Sequence, residues 1–239
     1  MFQKFQAHLS KNFPELISQK MLLALSGGVD SCVLLSLCLR EGLHPAIAHC
    51  NFQLRGKDSD ADALWIEQLA EEHGLECHIK NFDARACAGK EKLSIQMAAR
   101  NLRYEWFETL SKEYGYEVIL VGHHADDSLE TFMINTMRGS GLKGLLGIPE
   151  FRGKILRPLL PFGRKDIMRY AKENQIQWRE DASNAKTDYL RNALRHKVIP
   201  GWKAMDKHFD EQFRATLAHL GKAQEALEFV LEQFKTKHL

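Results

Sequence analysis

Residues 21–31 read MLLALSGGVDS, and this stretch decides the fold of the chain. The apolar run at 21–25 predicts a short buried strand, and the mostly apolar residues at 31–40 predict a helix. Two glycines between them allow a tight turn. A strand that passes through a glycine turn into a helix is the beginning of a βαβ unit, so the sequence favours a parallel sheet.

Further short apolar runs repeat this pattern along the chain. Strands are predicted at 45–49, 76–81 and 118–122, and helices at 60–73 and 94–114. The alternation predicts an α/β fold, a Rossmann-like parallel sheet flanked by helices. An antiparallel α+β sheet would need hairpin turns between the runs, and we find none in the sequence.

The pattern changes after residue 139. Six glycines and three prolines between 139 and 163 predict a loop-rich connector. Helical patterns resume at 163–174 and 187–198, and a long amphipathic helix is predicted from 209 onward. Its apolar stripe must be buried against something. The stripe consists of Phe209, Phe213, Leu217, Leu220, Leu227, Leu231 and Phe234.

The composition excludes several classes of protein. Of the 239 residues, 44% are hydrophobic and 27% are charged, which is typical of a globular protein and not of a disordered one. No apolar run reaches 18 residues, and the first residues lack the apolar core of a secretory signal. The five cysteines form no CxxC pair, which disfavours zinc ribbons and thioredoxin-type centres. Free thiols indicate a reducing compartment, and we expect a cytoplasmic protein.

Positive charge is concentrated in one block of the sequence. Residues 151–208 contain 14 Lys and Arg against 6 Asp and Glu, a net charge of +8, whereas residues 1–150 have a net charge of −5. A basic block on a nearly neutral protein is a candidate surface for a polyanion such as RNA. Scattered solvated Lys and Arg would give the same count, so the count alone leaves both interpretations open.

The glycine turn carries the strongest chemical signal. In SGGVDS at 26–31, the turn directs backbone N–H groups and the positive end of a helix dipole at one point, which favours a phosphate. The Gly-Lys-Ser/Thr of a Walker loop is absent. Asp30 would repel phosphate unless a metal lies between them, so it is interpreted as a magnesium ligand or as a helix cap. The motif resembles the PP-loop of the ATP pyrophosphatase superfamily, whose members split ATP between its α and β phosphates.

A second polar motif, HHADDSLET, occupies 123–131 directly after the fourth predicted strand. Open α/β sheets bind ligands at the carboxyl ends of their strands. Asp127 as a helix N-cap with Glu130 three residues later would also form a capping box. Capping does not account for two histidines and two acids at a strand end, so we interpret the motif as functional.

Three other patterns are rejected as sites. GSGLKG at 139–144 has the spacing of a dinucleotide fingerprint but follows a helix instead of a strand. The acids at 58, 60 and 62 resemble the start of an EF-hand loop, but its glycine and glutamate are missing at positions six and twelve. Adjacent histidines at a strand end point apart, which disfavours a shared zinc ion.

An ordered set of motifs over residues 26–200 resembles the bacterial tRNA(Ile)-lysidine synthetases. Besides SGGVDS, the set consists of HCN at 49–51, LRG at 54–56 with Ser59, ARNLRY at 99–104, HHADDSLET at 123–131, RGSGL at 138–142, GIP at 147–149, RPL at 157–159, DASN at 181–184 and RNALRH at 191–196. SGGVDS alone would indicate only the superfamily. The order of the whole set makes the resemblance specific.

The resemblance implies a ligase that uses ATP to adenylate the wobble cytidine of tRNA(Ile) with a CAU anticodon, at its carbon-2 oxygen. Free lysine then displaces AMP and leaves lysidine. The implied partners are this tRNA, lysine and ATP with magnesium, without a membrane, and we also expect a homodimer. Residues 1–200 would be the PP-loop catalytic domain. Residues 201–239 would link it to a helical second domain, the rest of which we expect to be absent from this chain.

The resemblance also assigns roles to individual residues. ATP would be bound by Ser26, Gly27, Gly28, Val29, Asp30 and Ser31. The reaction residues would be Asp30, Arg103, His123, Asp127 and Arg195. Contacts to tRNA would come from Arg55, Arg191 and Arg195, and Asp30 would hold magnesium.

Physical chemistry suggests a separate role for several of these residues. Arg191 and Arg195 are four residues apart on one helix face, a spacing suited to phosphates. The side-chain amine of lysine has a pKa of about 10.4 and must lose a proton before it attacks, so we expect Asp127 to orient lysine and His123 to contact ATP. Asp127→Asn keeps a capping oxygen, and we expect its effect to be chemical and not structural.

Two other functions are weighed against this one. A PP-loop tRNA thiolase would need cysteines that carry sulfur or hold an iron–sulfur cluster, and these are usually paired. A non-catalytic nucleotide-binding module would keep the glycine turn but would not need Asp127, Arg103 and Arg195 together.

Overall fold

The computed structural model describes residues 1–179 and 190–238 and has an α/β fold. Within these residues the strands form a six-stranded sheet of order β3-β2-β1-β4-β6-β5. The strands are β1 (Met21–Ala24), β2 (Ala46–Asn51), β3 (Cys77–Asn81), β4 (Val118–Val121), β5 (Phe151–Arg152) and β6 (Ile155–Leu156). All pairings among β1 to β4 are parallel. The α/β class and the four predicted parallel strands are confirmed.

Helices make up most of the rest of the described chain. The α-helices are α1 (Phe2–Asn12), α2 (Val29–Arg40), α3 (Lys57–Glu72), α4 (Ala84–Glu91), α5 (Ile95–Tyr114), α6 (Ala125–Met137), α7 (Arg164–Glu173), α8 (Leu190–Ala193), α9 (Ile199–Met205) and α10 (Phe209–His238). Short 3₁₀ helices cover Pro14–Ser18 and Leu142–Leu146. Across the ranges given above, no helix is both long and apolar enough to cross a bilayer.

The central strands are buried on both faces. Leu23 of β1 and Ile47 of β2 belong to the core on the side of α2. Leu22 and Ile119 belong to the opposite core, together with Trp106 of α5. Successive residues of a strand point to opposite faces, so a sheet covered on both sides needs apolar residues at every position. This explains why the strands are continuous apolar runs in the sequence.

The edge of the sheet differs from the prediction. β6 is parallel to β4, but β5 is antiparallel to β6, and Gly153 stands in the turn between them with a φ of +60°. A positive φ favours glycine. The expectation that no hairpin joins the strands is therefore wrong at this edge, because two-residue strands are too short to show any alternation.

Several element boundaries also differ from the predicted ones. α3 begins at Lys57, three residues early, and the patterns do not predict α1 or α4. The helix predicted at 187–198 is present from Leu190, and its first three residues lie outside the described residues. It continues through a π-helical segment, Leu194–Val198, before α9 begins.

The described residues divide into two compact units. The first unit contains Met1–His123 and residues 150–179, and it includes the whole sheet. The second contains His124–Pro149 and the residues from 190 onward. Its buried core consists of Leu129, Met133, Leu194 and Ile199. The first unit is therefore assembled from two separate stretches of sequence.

Candidate functional site

The glycine turn lies in the first unit, between β1 and α2. Gly28 is the N-cap of α2, and Gly27 has a φ of +83°. The Ser31 hydroxyl donates to the Gly28 carbonyl at 2.9 Å and accepts from the Ser26 N–H at 3.3 Å. No side chain caps the first turn of α2. The turn thus has the donor arrangement that binds phosphate at helix N-termini.

The end of β4 lies against this turn. A Cβ added to Gly122 would be 3.2 Å from the backbone of Asp30 and of Ser31. Backbone atoms cannot move aside as a flexible side chain can, so glycine is the residue that fits at position 122. This close approach brings the end of β4 to the phosphate-binding turn.

Asp30 is held by an arginine that the sequence analysis does not identify. Nη1 of Arg164, at the start of α7, lies 3.0 Å from both carboxylate oxygens. Gly28 is the N-cap of α2, which argues against Asp30 as the helix cap. Arginine in the first turn of a helix is disfavoured by the helix dipole, and this conflict was the available signal that Arg164 has a partner elsewhere.

The residues at Asp30 do not by themselves form a metal site. Both carboxylate oxygens accept hydrogen bonds from Arg164. Over residues 1–179 and 190–238, no three His, Cys, Asp or Glu side chains are grouped as metal ligands. Magnesium usually takes one or two carboxylates and completes its shell with water and substrate phosphates. A carboxylate has about four lone-pair sites, so Asp30 could supply one such ligand while Arg164 stays bound.

His123 and Arg103, two of the expected reaction residues, also lie in the first unit. Nδ1 of His123 is 3.1 Å from Nε of the buried Arg157, which donates to it. An imidazole that accepts at Nδ1 carries its proton at Nε2, which suits it to donate to a phosphate oxygen. The Arg103 guanidinium lies over the ring of Phe52, 5.5 Å from its centre.

His49 in β2 gives the first unit a pH-dependent contribution to stability. Nδ1 of its buried ring lies 2.9 Å from the Leu25 carbonyl oxygen. Burial lowers the pKa of His49 below 6.5, although that hydrogen bond acts in the opposite direction. The unfolded chain therefore binds more protons than the folded protein once the pH falls below about 6.5. The contribution is complete above that pH and is lost as the pH falls toward the lower pKa of the folded state.

We expect His49→Gln to weaken the pH dependence of stability. Urea unfolding of the unchanged protein should give a lower midpoint at pH 5.5 than at pH 7.5, and the variant should show a smaller difference. His44→Gln, at an exposed position, is the matched control and should keep the full difference. An equal difference in all three proteins would contradict the assignment to His49.

In the second unit, two carboxylates of α6 pair with two arginines. The fully buried Glu130 accepts from Nε of Arg191 and from Nε of Arg195, each at 2.6 Å. Nη2 of Arg195 also lies 3.2 Å from Oδ1 of Asp127. We call these four residues the α6 cluster. Its formal charges cancel, which a buried carboxylate requires.

Asp127 has a capping role that differs from the predicted one. The N-cap of α6 is His124, and its N–H donates to Oδ2 of Asp127 at 2.9 Å. The expected box of Asp127 with Glu130 is therefore wrong, because Glu130 points to the arginines. Asp127→Asn would also have a structural effect, contrary to expectation. If the amide oxygen of the variant still accepts the His124 N–H, its NH₂ group faces Nη2 of Arg195. Both of these groups are donors, so the hydrogen bond to Arg195 is lost.

The local backbone at Arg195 is irregular. Arg195 lies in the π-helical segment Leu194–Val198. Such turns contain an extra residue and occur frequently at functional sites. Glu130 is a functional candidate that the sequence analysis considered only as part of a capping box. Its spacing of three residues from Asp127 also places both acids on neighbouring helix positions.

The predicted site residues fall into separate groups. The first unit contains the turn at 26–31, Arg103, His123 and Arg55, whose guanidinium bonds to Asp62. The second unit brings Asp127, Arg191 and Arg195 together. Glu130 and Arg164 are the additions that the geometry makes to these two groups.

Four of the five cysteines of the first unit are poorly suited to sulfur chemistry. Burial raises the pKa of Cys32, Cys38 and Cys50 to about 12, and that of Cys77 to about 11. The thiolate is the reactive form, so the raised pKa makes these four thiols less reactive at neutral pH. This disfavours the thiolase alternative.

Comparison with known proteins gives a family and several relatives. The PP-loop domain family matches residues 1–202. The tRNA(Ile)-lysidine synthase of Bacteroides thetaiotaomicron is 37% identical over 235 residues, which cover 98% of this chain and 55% of that protein. The enzyme of the same name from Porphyromonas gingivalis is 42% identical and covered to 44%, and that from Chlorobaculum tepidum is 38% identical and covered to 67%. The matches take in 84% and 91% of this chain, respectively. The chain spans about half the length of most of these relatives.

Solved structures support the fold. The U34-tRNA thiolase NcsA of Methanococcus maripaludis matches 91% of this chain and 78% of its own, with a TM-score of 0.74 and 17% identity. NMN synthetase from Francisella tularensis matches 92% of this chain and 93% of its own, with a TM-score of 0.53 and 16% identity. At these identities the similarity is one of architecture.

Proposed function

Since the chain belongs to the tRNA(Ile)-lysidine synthase family, whose PP-loop domain it contains, we propose that it joins free lysine to carbon 2 of the wobble cytidine of tRNA(Ile) with a CAU anticodon. ATP is converted to AMP and pyrophosphate. The observation that carries the proposal is the 38% identity to a lysidine synthase covered to 67% of its length. The proposal uses the glycine turn as the ATP site and the α6 cluster as the site of lysine transfer.

The first step in the proposal is adenylation. The carbon-2 oxygen of cytidine attacks the α-phosphorus of ATP, and the bond to the β-phosphate oxygen breaks to release pyrophosphate. Negative charge grows on the leaving group, so fixed N–H donors and cations stabilise it. The proposal assigns the phosphates to the turn at 26–31 and to His123, and the developing charge to Arg103 and to Arg164 held by Asp30.

The second step is transfer to lysine. The side-chain amine attacks carbon 2, the carbon–oxygen bond to AMP breaks, and the amine loses its protons. Free lysine carries an ammonium group at neutral pH, because its pKa is about 10.4. The proposal assigns Asp127 to orient this ammonium and to accept or relay its proton, and Arg195 to stabilise the departing AMP phosphate.

Incorporation of radiolabelled lysine tests the whole proposal. The chain is incubated at high concentration with a tRNA(Ile) transcript bearing CAU, with and without ATP. We expect label in the tRNA only when ATP is present, with one pyrophosphate released per lysine. Pyrophosphate release without any labelled tRNA would contradict the assignment and would favour a different substrate for the adenylated intermediate.

Asp127→Asn should slow lysine transfer by about a hundredfold or more, the range of a lost acid–base group. Adenylation should be slowed much less, because Asp127 is assigned to the second step. Single-turnover measurements with preformed adenylated tRNA separate the two. A structural loss alone would slow both steps equally, and a defect confined to adenylation would show that the assignment of Asp127 is wrong.

RNA binding should weaken as salt is added. The block at 151–208 has a net charge of +8, and each phosphate contact with RNA contributes about −0.7 to −0.9 to the slope of log affinity against log salt. Arg191→Ala and Arg195→Ala, each made as a single variant and measured where it is still folded, should lower affinity and flatten this slope, whereas Lys235→Ala, outside the block, should leave both unchanged. Filter binding at several salt concentrations measures the slope. A flat response of the unchanged protein would contradict the proposal.

The remaining expectations are part of the same proposal. Residues 1–200 act as the catalytic domain and 201–239 as a link to further helical structure. Arg55 contacts tRNA, magnesium accompanies ATP with Asp30 as one ligand, and the protein works in the cytoplasm as a homodimer.

The exposed apolar residues of α10 support self-association, because such a patch favours a partner surface. They are Leu227, Val230 and Leu231.

A further inference from the structure

Two arginines in the first unit share one buried carboxylate. Oδ2 of Asp62, on α3, lies 2.5 Å from Nη2 of Arg55, and Oδ1 lies 2.6 Å from Nε of Arg179. Asp62 is only 7% exposed. We call this set the Asp62 clamp. Each oxygen of the carboxylate therefore binds one arginine.

The clamp adjoins the glycine turn. The backbone N–H of Arg179 donates to the Gly27 carbonyl at 2.9 Å. A Cβ added to Gly27 would be 3.9 Å from Cβ of Arg179 and 3.6 Å from Trp65, three residues after Asp62 on α3. The backbone of Arg179 and the helix that carries Asp62 are thus both fixed against the phosphate-binding turn.

The position and exposure of Arg179 point to an anionic ligand. Its backbone is bound to the glycine turn, and its guanidinium is bound to Asp62 through Nε. The Arg179 side chain remains 42% exposed although its Nε is bound to Asp62. A guanidinium held in place by a carboxylate can bind phosphate oxygens with its planar fork and loses little side-chain freedom when it does so.

We propose that Arg179, positioned by Asp62, binds the phosphate chain of the nucleotide at the glycine turn. The ligand class is a di- or triphosphate, and Arg55 completes the clamp on the other side of Asp62. The proposal deepens the one above and rests on its use of ATP at residues 26–31. Arg179 contacts the ligand, and Asp62 acts through the arginines as a positioning residue.

Isothermal titration calorimetry on the full chain tests the clamp with inorganic pyrophosphate, ATP and adenosine as probes. Arg179→Ala should raise the Kd of pyrophosphate and of ATP about tenfold or more, the effect of one charged hydrogen-bond donor. The Kd of adenosine should not change. Arg179→Lys should recover part of the affinity, since it keeps the charge but not the fork. Arg169→Ala, whose guanidinium pairs with Asp166 on its own helix, is the control and should bind all probes normally.

The positioning role of Asp62 is tested by kinetic constants, because a purely structural role would not change KM and kcat separately. Asp62→Asn should raise the KM for ATP and change kcat little, and Asp62→Glu should restore part of the KM.

If Arg179→Ala lowers the melting temperature and weakens the binding of adenosine as much as that of pyrophosphate, the clamp is a structural tie and the proposal is overturned. The same follows if it leaves pyrophosphate unchanged and weakens only a single-stranded RNA oligonucleotide. If the unchanged protein binds neither ATP nor pyrophosphate, the proposed use of ATP fails, and the clamp fails with it.

Discussion

Replacing Asp30 by alanine is expected to slow adenylation by about a thousandfold or more and to leave the fold almost unchanged. The carboxylate holds Arg164 at the glycine turn, and a cation aimed at a transferring phosphoryl group contributes rate factors of this size. Both side chains are partly exposed, so the loss of their ion pair should cost about 1 kcal/mol of stability or less. Pyrophosphate release and a thermal melt measure the two quantities.

Arg164 provides the internal check on this expectation. If Asp30 acts by holding Arg164, then Arg164→Ala should show a similar loss, and the double variant should be little worse than either single one. Asp166→Ala removes an exposed carboxylate two residues away on α7 and should react normally. A normal adenylation rate for Asp30→Ala would show that Asp30 is not needed for adenylation and that its ion pair is only a surface contact.

Removing both arginines of the α6 cluster is expected to have the largest effect on stability. The double variant Arg191→Ala and Arg195→Ala would leave the fully buried Glu130 without its two cationic partners. A buried charge that loses its partners costs about 3–5 kcal/mol. Arg191→Ala alone should cost less, because Arg195 bonds to both oxygens of Glu130. Urea unfolding with hydrogen exchange at α6 measures the loss in the second unit.

A third substitution separates charge burial from simple loss of packing. Adding Glu130→Leu to the double variant removes the unpaired carboxylate and should restore much of the stability, since apolar replacements of buried ion clusters are close to neutral. Arg169→Ala serves as the control for the loss of an arginine at the surface. If the triple variant is less stable than the double one, the cluster stabilises the unit by packing and the electrostatic account is wrong.

The fold was readable from the sequence where local signals are strong. MLLAL, the glycine pair and the apolar helix after them are contiguous, so the first βα unit requires no knowledge of distant residues. The hairpin of β5 and β6 contains only two residues per strand, and no periodicity can appear in such a length. Gly153 is the residue between these strands in the sequence that indicates a turn, and in the structure it has the positive φ that the turn requires.

The site was readable only where its parts lie close together in sequence. Asp127 and the pair Arg191 and Arg195 stand in compact motifs, and their types suggested charge chemistry. Arg164 meets Asp30 across 134 residues and Arg179 meets Asp62 across 117, so only the folded chain identifies these partners. Glu130 lies between the two cases, because its helix spacing is local but its arginines are more than 60 residues away.

The first unit is built from residues 1–123 and 150–179, so the ribosome synthesises its two parts at different times, with residues 124–149 in between. Strands β1 to β4 emerge first, and the edge of β4 stays open until β6 is translated. Arg164 follows, so the nascent chain cannot complete the Asp30 pair earlier. Glu130 emerges before either of its arginines. The growing chain is therefore most exposed to wrong pairing and aggregation while residues 124–195 are being made, and slower translation over that interval would lengthen its exposure.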